Sequence, residues 1–168
     1  MVLAVVVSSL INMNKKCNCC GLIQPQNKFR YRHGNSKYDR LNVCKDCSDN
    51  NLKKTIIQKY GIEYWNKCLF EKFKDRIRSR TKSAFRRIKE NKPTKTETLL
   101  GCDWLTAKEH IESFFKDDLN WDNFNEWHID HIKPLCSANN VDELLPLCRY
   151  DNLQPLMAKD NLIKGGRY

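Results

Sequence analysis

The stretch Glu126–Leu135, EWHIDHIKPL, decides the fold because it concentrates reactive side chains in a strand-like segment. It holds His128, Asp130 and His131 in a chain of 168 residues with four histidines. Residues 127–132 predict a strand, so His128 and Asp130 would share one face and His131 the other, unless the chain turns at the strand end. There, Asp130 offers a hard oxygen ligand and His131 a proton acceptor. A self-contained metal site and an inactive polar strand are the alternatives.

The segment that follows supplies what this stretch lacks, a second metal ligand. Residues 148–166, CRYDNLQPLMAKDNLIKGG, contain Asn152 and Asn161. Residues 153–157 predict a second short strand, and residues 158–164 predict a final helix that ends at a pair of glycines. We also expect a short helical piece around VDELL in the connection between the strands.

The residues upstream predict turns followed by helices. Residues 14–50 read as turns and short strands, and a helix is expected from Ser48 to Gly61. An apolar stripe at spacings of three and four then predicts a long amphipathic helix from Ile62, with a break near Ser79 and a stop at Pro93. After a polar linker, Thr106 with Glu109 predicts the capping box of another short helix.

The charge of the chain is concentrated in that long helix. The formal net charge is +10, and residues 67–89 alone hold ten basic and two acidic residues, a net charge of +8. A basic face beside an apolar stripe favours contact with the phosphates of nucleic acid. A solvated surface, a membrane surface and a calmodulin-type partner are the alternatives.

Nine cysteines include two CxxC pairs. Two such pairs, separated by 23 residues, can place four thiolates around one zinc ion in a closed structural site, made of Cys17, Cys20, Cys44 and Cys47. Disulfides or unrelated buried thiols are the alternatives, although the odd number opposes a closed disulfide framework. Cys19, inside the first pair, is expected to be a bystander.

The N-terminal residues 1–13 are apolar but lack the basic start of a secretory signal. We expect a loose tail or an extension upstream of Met13. No apolar run approaches the ~20 residues of a membrane span. The sequence therefore predicts an intracellular protein that is neither secreted nor placed in a membrane.

Several separated points, in order, resemble the HNH or ββα-metal endonucleases of phages and large DNA viruses, a group that includes homing endonucleases. The matching residues are Asp130-His131-Ile132, Pro134-Leu135, Asn152-Leu153-Gln154-Pro155-Leu156, Asn161 and Lys164, preceded by Leu99-Leu100-Gly101-Cys102 and Trp127. The cysteine module is more loosely similar to that of recombination endonuclease VII. The resemblance covers residues 15–166.

The resemblance implies a role for each motif position. Asp130 and Asn161 would hold a catalytic Mg²⁺ or Mn²⁺, His131 would activate water, and Asn152 would hold the loop that orients His131. The products would be 5′-phosphate and 3′-hydroxyl ends. His128 is outside the fixed motif and is expected either to contact phosphate or the metal, or to pack beside Trp127.

These observations predict an α+β protein with four segments: a tail over 1–13, a zinc ribbon over 14–50, a basic helical connector over 51–97 and an HNH nuclease domain over 98–168. The expected activity is metal-dependent hydrolysis of double-stranded DNA, and cutting both strands from one small site would call for a homodimer. A non-cleaving zinc protein that binds DNA is the alternative. The residues expected to bind DNA are Arg76, Arg78, Arg80, Lys82, Arg86, Arg87 and Lys164.

Overall fold

A computed structural model of the chain describes residues 14–31, 40–116 and 119–167. The predicted tail over 1–13 lies outside them. The chain divides between Asn66 and Lys67 into two compact units, which are described separately below. In the described ranges the protein combines helices with three small antiparallel sheets of two strands each. None of the described helices has the length and apolar content needed to cross a bilayer.

The first unit contains two small hairpins followed by a helix. Strand β1 (Asn14–Lys16) pairs with β2 (Ile23–Pro25), and β3 (Phe29–Tyr31) pairs with β4 (Arg40–Cys44). Helix α1 (Lys45–Tyr60) follows directly.

Helix α1 begins three residues before the predicted start at Ser48. Cys44 is extended and serves as its N-cap residue, which lets the helix begin where the strand ends. At the other end the prediction of a glycine stop is confirmed: Gly61 has a positive φ of 86° and donates its N–H to the carbonyl of Ile57 at 2.9 Å.

Cysteines make up most of the core of the first unit. Cys17, Phe29 and Cys44 are buried, and Val43 and Cys47 pack against them. Helix α1 contributes no buried residue. A cluster this small excludes little apolar surface from water, so packing among the described residues contributes only modest stability to this unit.

Helix α2 (Ile62–Arg87) runs without interruption through Ser79, so the predicted break is wrong. Its apolar stripe is buried on both sides of that position, and the hydroxyl of buried Thr81 donates to the carbonyl of Ile77 at 2.9 Å. That bond satisfies a polar group within the helix itself. The helix ends at Arg87, and Lys89 takes a positive φ of 58°, before Pro93 is reached.

Two short helices follow, α3 (Thr96–Leu100), inside the expected linker, and α4 (Trp104–Glu112). The capping box predicted from Thr106 is wrong because Asp103 is the N-cap residue: its carboxylate accepts the N–H of Thr106 at 2.8 Å. This hydrogen bond lowers the pKa of Asp103, as expected of a carboxylate at a helix N-terminus.

The C-terminal part is a hairpin with a helix on it, as predicted. Strand β5 (Trp127–His131) pairs with β6 (Leu153–Met157) in continuous register, from Trp127 opposite Met157 to His131 opposite Leu153. Helix α5 (Val141–Leu147) lies in the connection, and helix α6 (Ala158–Lys164) packs against both strands. Pro155 is tolerated in β6 because each strand of a two-stranded sheet has a free edge.

Aromatic side chains pack around the start of strand β5 and hold the hairpin in place. Trp127 is fully buried, and its ring lies 4.7 Å from that of Phe124 and 5.5 Å from those of Phe115 and Trp121. A second apolar cluster joins the end of α2 to α3 and α5 through Phe85, Leu99, Leu144 and others. Helix α2 and strand β5 are therefore held in one packed unit, which positions the polar residues of the hairpin.

Candidate functional site

The four cysteines of the two CxxC pairs come together, as predicted. The Sγ atoms of Cys17, Cys20, Cys44 and Cys47 all lie within 4.8 Å of one another. A tetrahedral zinc site with Zn–S bonds of ~2.3 Å needs sulfurs about 3.8 Å apart, so small side-chain shifts would complete it. The four cysteines can therefore hold a metal ion such as zinc.

Backbone amides prepare Cys17 to be a thiolate. Its Sγ accepts the N–H of Cys19 at 3.4 Å and the N–H of Cys44 at 3.3 Å. Hydrogen bonds from Cys44 and other backbone amides lower the pKa of Cys17 to about 6. The turn itself is closed by Gly21, whose φ is +73° and whose N–H donates to the carbonyl of Cys17 at 2.9 Å.

The pKa of Cys47 is shifted in the opposite direction, upward. The neighbouring thiols, first that of Cys44, raise its pKa through hydrogen bonds to its protonated form, and burial adds to the effect. Four sulfurs this close cannot all be charged in the absence of a cation, because like charges repel. A divalent cation would relieve that repulsion, which is the physical reason for expecting one here.

A second group of polar residues meets at the end of the hairpin. Asp130 and His131, from β5, and Asn161, from α6, line one cavity of about 350 Å³, which Ser79, Arg80, Ser83 and Arg87 of α2 also line. Asp130 and His131 are adjacent in a strand, yet both reach this cavity because His131 is the last strand residue. The sequence left that outcome open.

Asp130 is held in place through one of its two oxygens. Its Oδ2 accepts hydrogen bonds from Nε2 of Gln154 at 2.9 Å and from Nζ of Lys164 at 2.5 Å. Lys164 also donates to the carbonyls of His131 at 2.6 Å and Ile132 at 3.0 Å. Within the described ranges Oδ1 accepts no hydrogen bond, so this oxygen is available to a cation.

His131 is 4% exposed and accepts or donates no side-chain hydrogen bond within the described ranges. Burial lowers its pKa to about 4, with a further contribution from the positive charge of Arg80, while the negative charge of Asp130 acts in the opposite direction. The imidazole is consequently neutral at pH 7. One ring nitrogen then carries a lone pair that can accept a proton.

Asn161 has a direct partner on strand β5. Its Nδ2 lies 2.7 Å from Nδ1 of His128, so Nδ1 acts as the acceptor and Nε2 of His128 carries the ring proton. Burial, Arg80 and Arg76 together lower the pKa of His128, which keeps this ring neutral. The amide Oδ1 of Asn161 is left for a cation. With Oδ1 of Asp130 it makes a pair of hard oxygen donors beside an open space, a donor set that fits Mg²⁺ or Mn²⁺ with waters completing the shell.

Asn152 connects the two ends of the long connection between the strands. Its Nδ2 donates to the carbonyls of Lys133 at 3.0 Å and Leu147 at 2.8 Å, and its Oδ1 accepts the N–H of Lys133 at 2.8 Å. Its backbone carbonyl accepts the N–H of Ile132 at 2.8 Å. These bonds hold the residues directly after His131.

The residues of α2 that are predicted to bind DNA divide into two groups. Arg76 donates to the carbonyls of Phe124 at 2.7 Å and Trp127 at 3.3 Å, and Arg87 donates to those of Leu135 at 2.9 Å and Ala138 at 2.6 Å. These two arginines anchor α2 to the chain before and after β5. Arg78 pairs with Asp75 at 3.1 Å.

The other group is Arg80, Lys82 and Arg86, which donate no hydrogen bond to the described residues. Lys82 and Arg86 are exposed, whereas Arg80 is half-buried beside the histidines. Whether any of the predicted DNA-binding residues contacts phosphate stays a prediction.

The sequence did not single out Gln154 or the position of Arg80. The strand register explains the contact of Gln154 with Asp130, because a hairpin that pairs His131 with Leu153 places Gln154 opposite Asp130. Arg80 could not be separated from its neighbours, because only the packing of α2 against β5 distinguishes it.

Comparisons with protein-family models, with curated proteins and with solved structures gave no match for this chain.

Proposed function

We propose that this protein is a metal-dependent endonuclease of the HNH, or ββα-metal, type that hydrolyses phosphodiester bonds of double-stranded DNA. The observation that carries the proposal is the meeting of Asp130, His131 and Asn161 in one cavity, where a hairpin joins its following helix. Two oxygen donors and a neutral imidazole around an open space are what phosphodiester hydrolysis requires.

In the proposed reaction His131 is the general base. Its neutral imidazole takes a proton from a water molecule, whose oxygen attacks phosphorus. The bond from phosphorus to the 3′ oxygen breaks, and that oxygen leaves and takes a proton from solvent. The products are a 5′-phosphate and a 3′-hydroxyl. Asn152 keeps the chain after His131 in place, so that the ring stays aimed into the cavity.

Asp130 and Asn161 would hold Mg²⁺ or Mn²⁺, and Gln154 and Lys164 orient the carboxylate through its other oxygen. When bound, such an ion supplies positive charge that stabilises the phosphate as negative charge develops on it. In the first unit the four cysteines would hold a structural zinc. Lys82 and Arg86, which are exposed and donate no hydrogen bond to the described residues, would bind the DNA backbone.

A second candidate is a zinc-containing protein that binds DNA without cutting it. The contact between Lys164 and Asp130 favours this candidate, because an ammonium group already neutralises the carboxylate that would attract the metal. The two candidates share a DNA-binding surface and differ in whether divalent metal has any effect on the substrate.

Incubating supercoiled and linear plasmid with the protein and Mg²⁺ or Mn²⁺, followed by end mapping, tests the proposal. We expect cleavage to 5′-phosphate ends and a loss of about 10²–10⁴ in rate for His131→Ala. His110→Gln is the matched control, because His110 is a part-buried histidine that contacts the carbonyl of Leu153 and lies outside the cavity. This control should retain the rate.

Unchanged cleavage by His131→Ala would show that another group activates water. Metal-independent binding with no cleavage by the wild-type protein would instead favour the second candidate.

A further inference from the structure

A larger cavity lies beside the one that holds Asp130 and His131. It has a volume of about 500 Å³, and its lining includes Lys72, Arg76, Ser79, Arg80 and His128. Ser79 and Arg80 line both cavities, so the two spaces share a wall along one face of α2. The proposed reaction uses the smaller space and leaves the larger one without a role.

Arg80 is the residue at this shared wall. It is half-buried and donates no hydrogen bond to the described residues, and burial lowers its pKa. Its positive charge is near enough to both His128 and His131 to lower the pKa of each ring. A half-buried guanidinium that donates to none of the described residues has lost part of its hydration, and an anion that accepts its N–H groups would compensate for that loss.

His128 supplies a second donor. Its Nδ1 accepts from Asn161, so the remaining polar atom of the ring is Nε2 with its proton, and Nε2 has no partner among the described residues. Lys72, on α2 two turns before Ser79, adds a positive charge to the same lining, and Ser79 adds a hydroxyl group.

The remaining charged residues of this cavity do not oppose an anion. Asp75 also lines it, but its carboxylate pairs with Arg78 at 3.1 Å. Arg76 directs donors to the carbonyls of Phe124 and Trp127 and to Oδ1 of Asn125, so most of its hydrogen-bonding capacity is engaged and its main contribution to the cavity is positive charge. The net charge of the residues that line this cavity is therefore positive.

We propose that the larger cavity is a second phosphate-binding subsite, which takes the phosphodiester next to the one being cut. The proposal rests on the proposed function, since it assumes that the smaller cavity receives the scissile phosphate. Neighbouring phosphates of one strand are joined through a single sugar, and successive nucleotides rise by only ~3.4 Å along the helix axis, so a guanidinium at the shared wall can lie between the two phosphates. Arg80, His128 and Lys72 would be the phosphate-binding residues, and the smallest good substrate would carry two neighbouring phosphates.

Two thymidine dinucleotides test this inference by calorimetric titration without relying on cleavage. One carries a single internal phosphodiester, and the other carries an additional 5′-phosphate. We expect the wild-type protein to bind the second ligand about tenfold more tightly, the size of a charge-assisted hydrogen bond. In Lys72→Ala the preference should fall below about threefold.

Lys74→Ala is the matched control: it removes the same charge from the same helix, but Lys74 lines neither cavity. This variant should keep the full preference. Equal binding of the two ligands by the wild-type protein, or the same loss in Lys72→Ala and Lys74→Ala, would overturn the subsite.

A parallel cleavage assay separates this result from the proposed function. On a duplex whose cut has been mapped, a neutral methylphosphonate is placed at the linkage on either side of the cut. On one side it should slow the wild-type protein about tenfold and leave Lys72→Ala nearly unaffected. Equal responses of the two proteins on both sides would overturn the subsite. If the protein cuts no duplex, so that no cut can be mapped, while the dinucleotide preference is intact, the nuclease proposal alone is overturned.

Discussion

The side-chain amide of Asn161 donates to Nδ1 of His128 at 2.7 Å and so ties the last helix to the strand that carries Asp130. The contact has a chemical consequence besides the mechanical one. Because Nδ2 is occupied by the imidazole, the amide is oriented with Oδ1 as its free atom. His128 therefore acts on any ion held by Asn161 without being its ligand.

We expect metal affinity to depend on both residues of this pair. Loss of a residue that orients a metal ligand typically costs 10–100-fold in affinity or activity, so His128→Ala should raise the half-saturating Mn²⁺ concentration by about tenfold. Asn161→Ala should raise it further, because the ligand itself is lost. The half-saturating Mn²⁺ concentration of each variant is measured by titration with Mn²⁺, once with the heat of binding as the signal and once with the cleavage rate. A His128→Ala variant with unchanged Mn²⁺ affinity would contradict the orienting role.

Buried His131 should make the metal-free second unit sensitive to acid. Its folded pKa of about 4 lies below its ordinary value of ~6.5, so the unfolded chain binds the proton first as the pH falls. The resulting stabilisation is present above pH ~6.5 and is lost progressively towards pH 4, amounting to roughly 3 kcal/mol. Urea unfolding of wild type and of His131→Gln at pH 7 and pH 4.5 isolates this contribution. If the free energy of unfolding falls equally in the two proteins between pH 7 and pH 4.5, His131 makes no such contribution.

Replacing Asn152 should destabilise the connection between the strands. Asn152→Ala removes three side-chain hydrogen bonds and leaves two carbonyls and one N–H without their partner. The expected loss is about 2 kcal/mol in the free energy of unfolding, measured by urea denaturation. Asn139→Ala is the matched control, since among the described residues the side-chain amide of Asn139 makes one long contact of 3.4 Å, with Glu143, and its backbone N–H is unaffected by the change. Similar losses in both variants would mean that Asn152 does not fix the loop.

The two groups of basic residues on α2 should respond differently to mutation. Arg86→Ala and Lys82→Ala should each reduce the salt dependence of DNA binding by ~0.9 in the slope of log K against log salt, one phosphate contact each. Arg87→Ala should instead lower the urea midpoint, because Leu135 and Ala138 lose their donor. Fluorescence anisotropy at several salt concentrations gives the slopes. An unchanged slope in Arg86→Ala would mean that this face does not meet DNA.

The first unit should depend on metal for its fold. We expect one tightly bound zinc per chain by elemental analysis, and loss of hydrogen-exchange protection over residues 14–31 and 40–60 when a strong chelator removes it. Cys17→Ser should abolish zinc binding, whereas Cys19→Ser, the neighbouring thiol outside the cluster, should retain it. Full protection in the chelated protein would contradict this dependence.

The local parts of the fold could be predicted because their causes are local. Alternation and turn residues define β5, β6 and α6, and the spacing of the two CxxC pairs is sufficient to bring four thiols together. Helix ends were less predictable where two residues compete to cap. Both Asp103 and Thr106 are suitable, and only the position of the first turn decides between them.

The long-range contacts of the site could not be predicted because they depend on packing. Nothing in the sequence separates Arg76, which binds the carbonyls around Trp127, from Arg80, one turn later, which faces the histidines. The motif includes Lys164, but its contact with Asp130 spans 34 residues and depends on how α6 crosses the hairpin. More of the residues of the candidate site than of their contacts could therefore be named from the sequence.

The ammonium group of Lys164 gives the hairpin its own counter-ion, and this has a consequence for the order of assembly. The carboxylate of Asp130 is balanced as soon as α6 docks on the strands, so the second unit can fold before any divalent ion arrives. In the first unit the negative charge of four neighbouring thiolates can be neutralised only by a bound cation. Folding and metal binding would therefore occur together there. A newly synthesised chain would therefore need a metal ion such as zinc in order to fold its first unit, whereas under the proposed function the catalytic ion could bind later, together with the DNA.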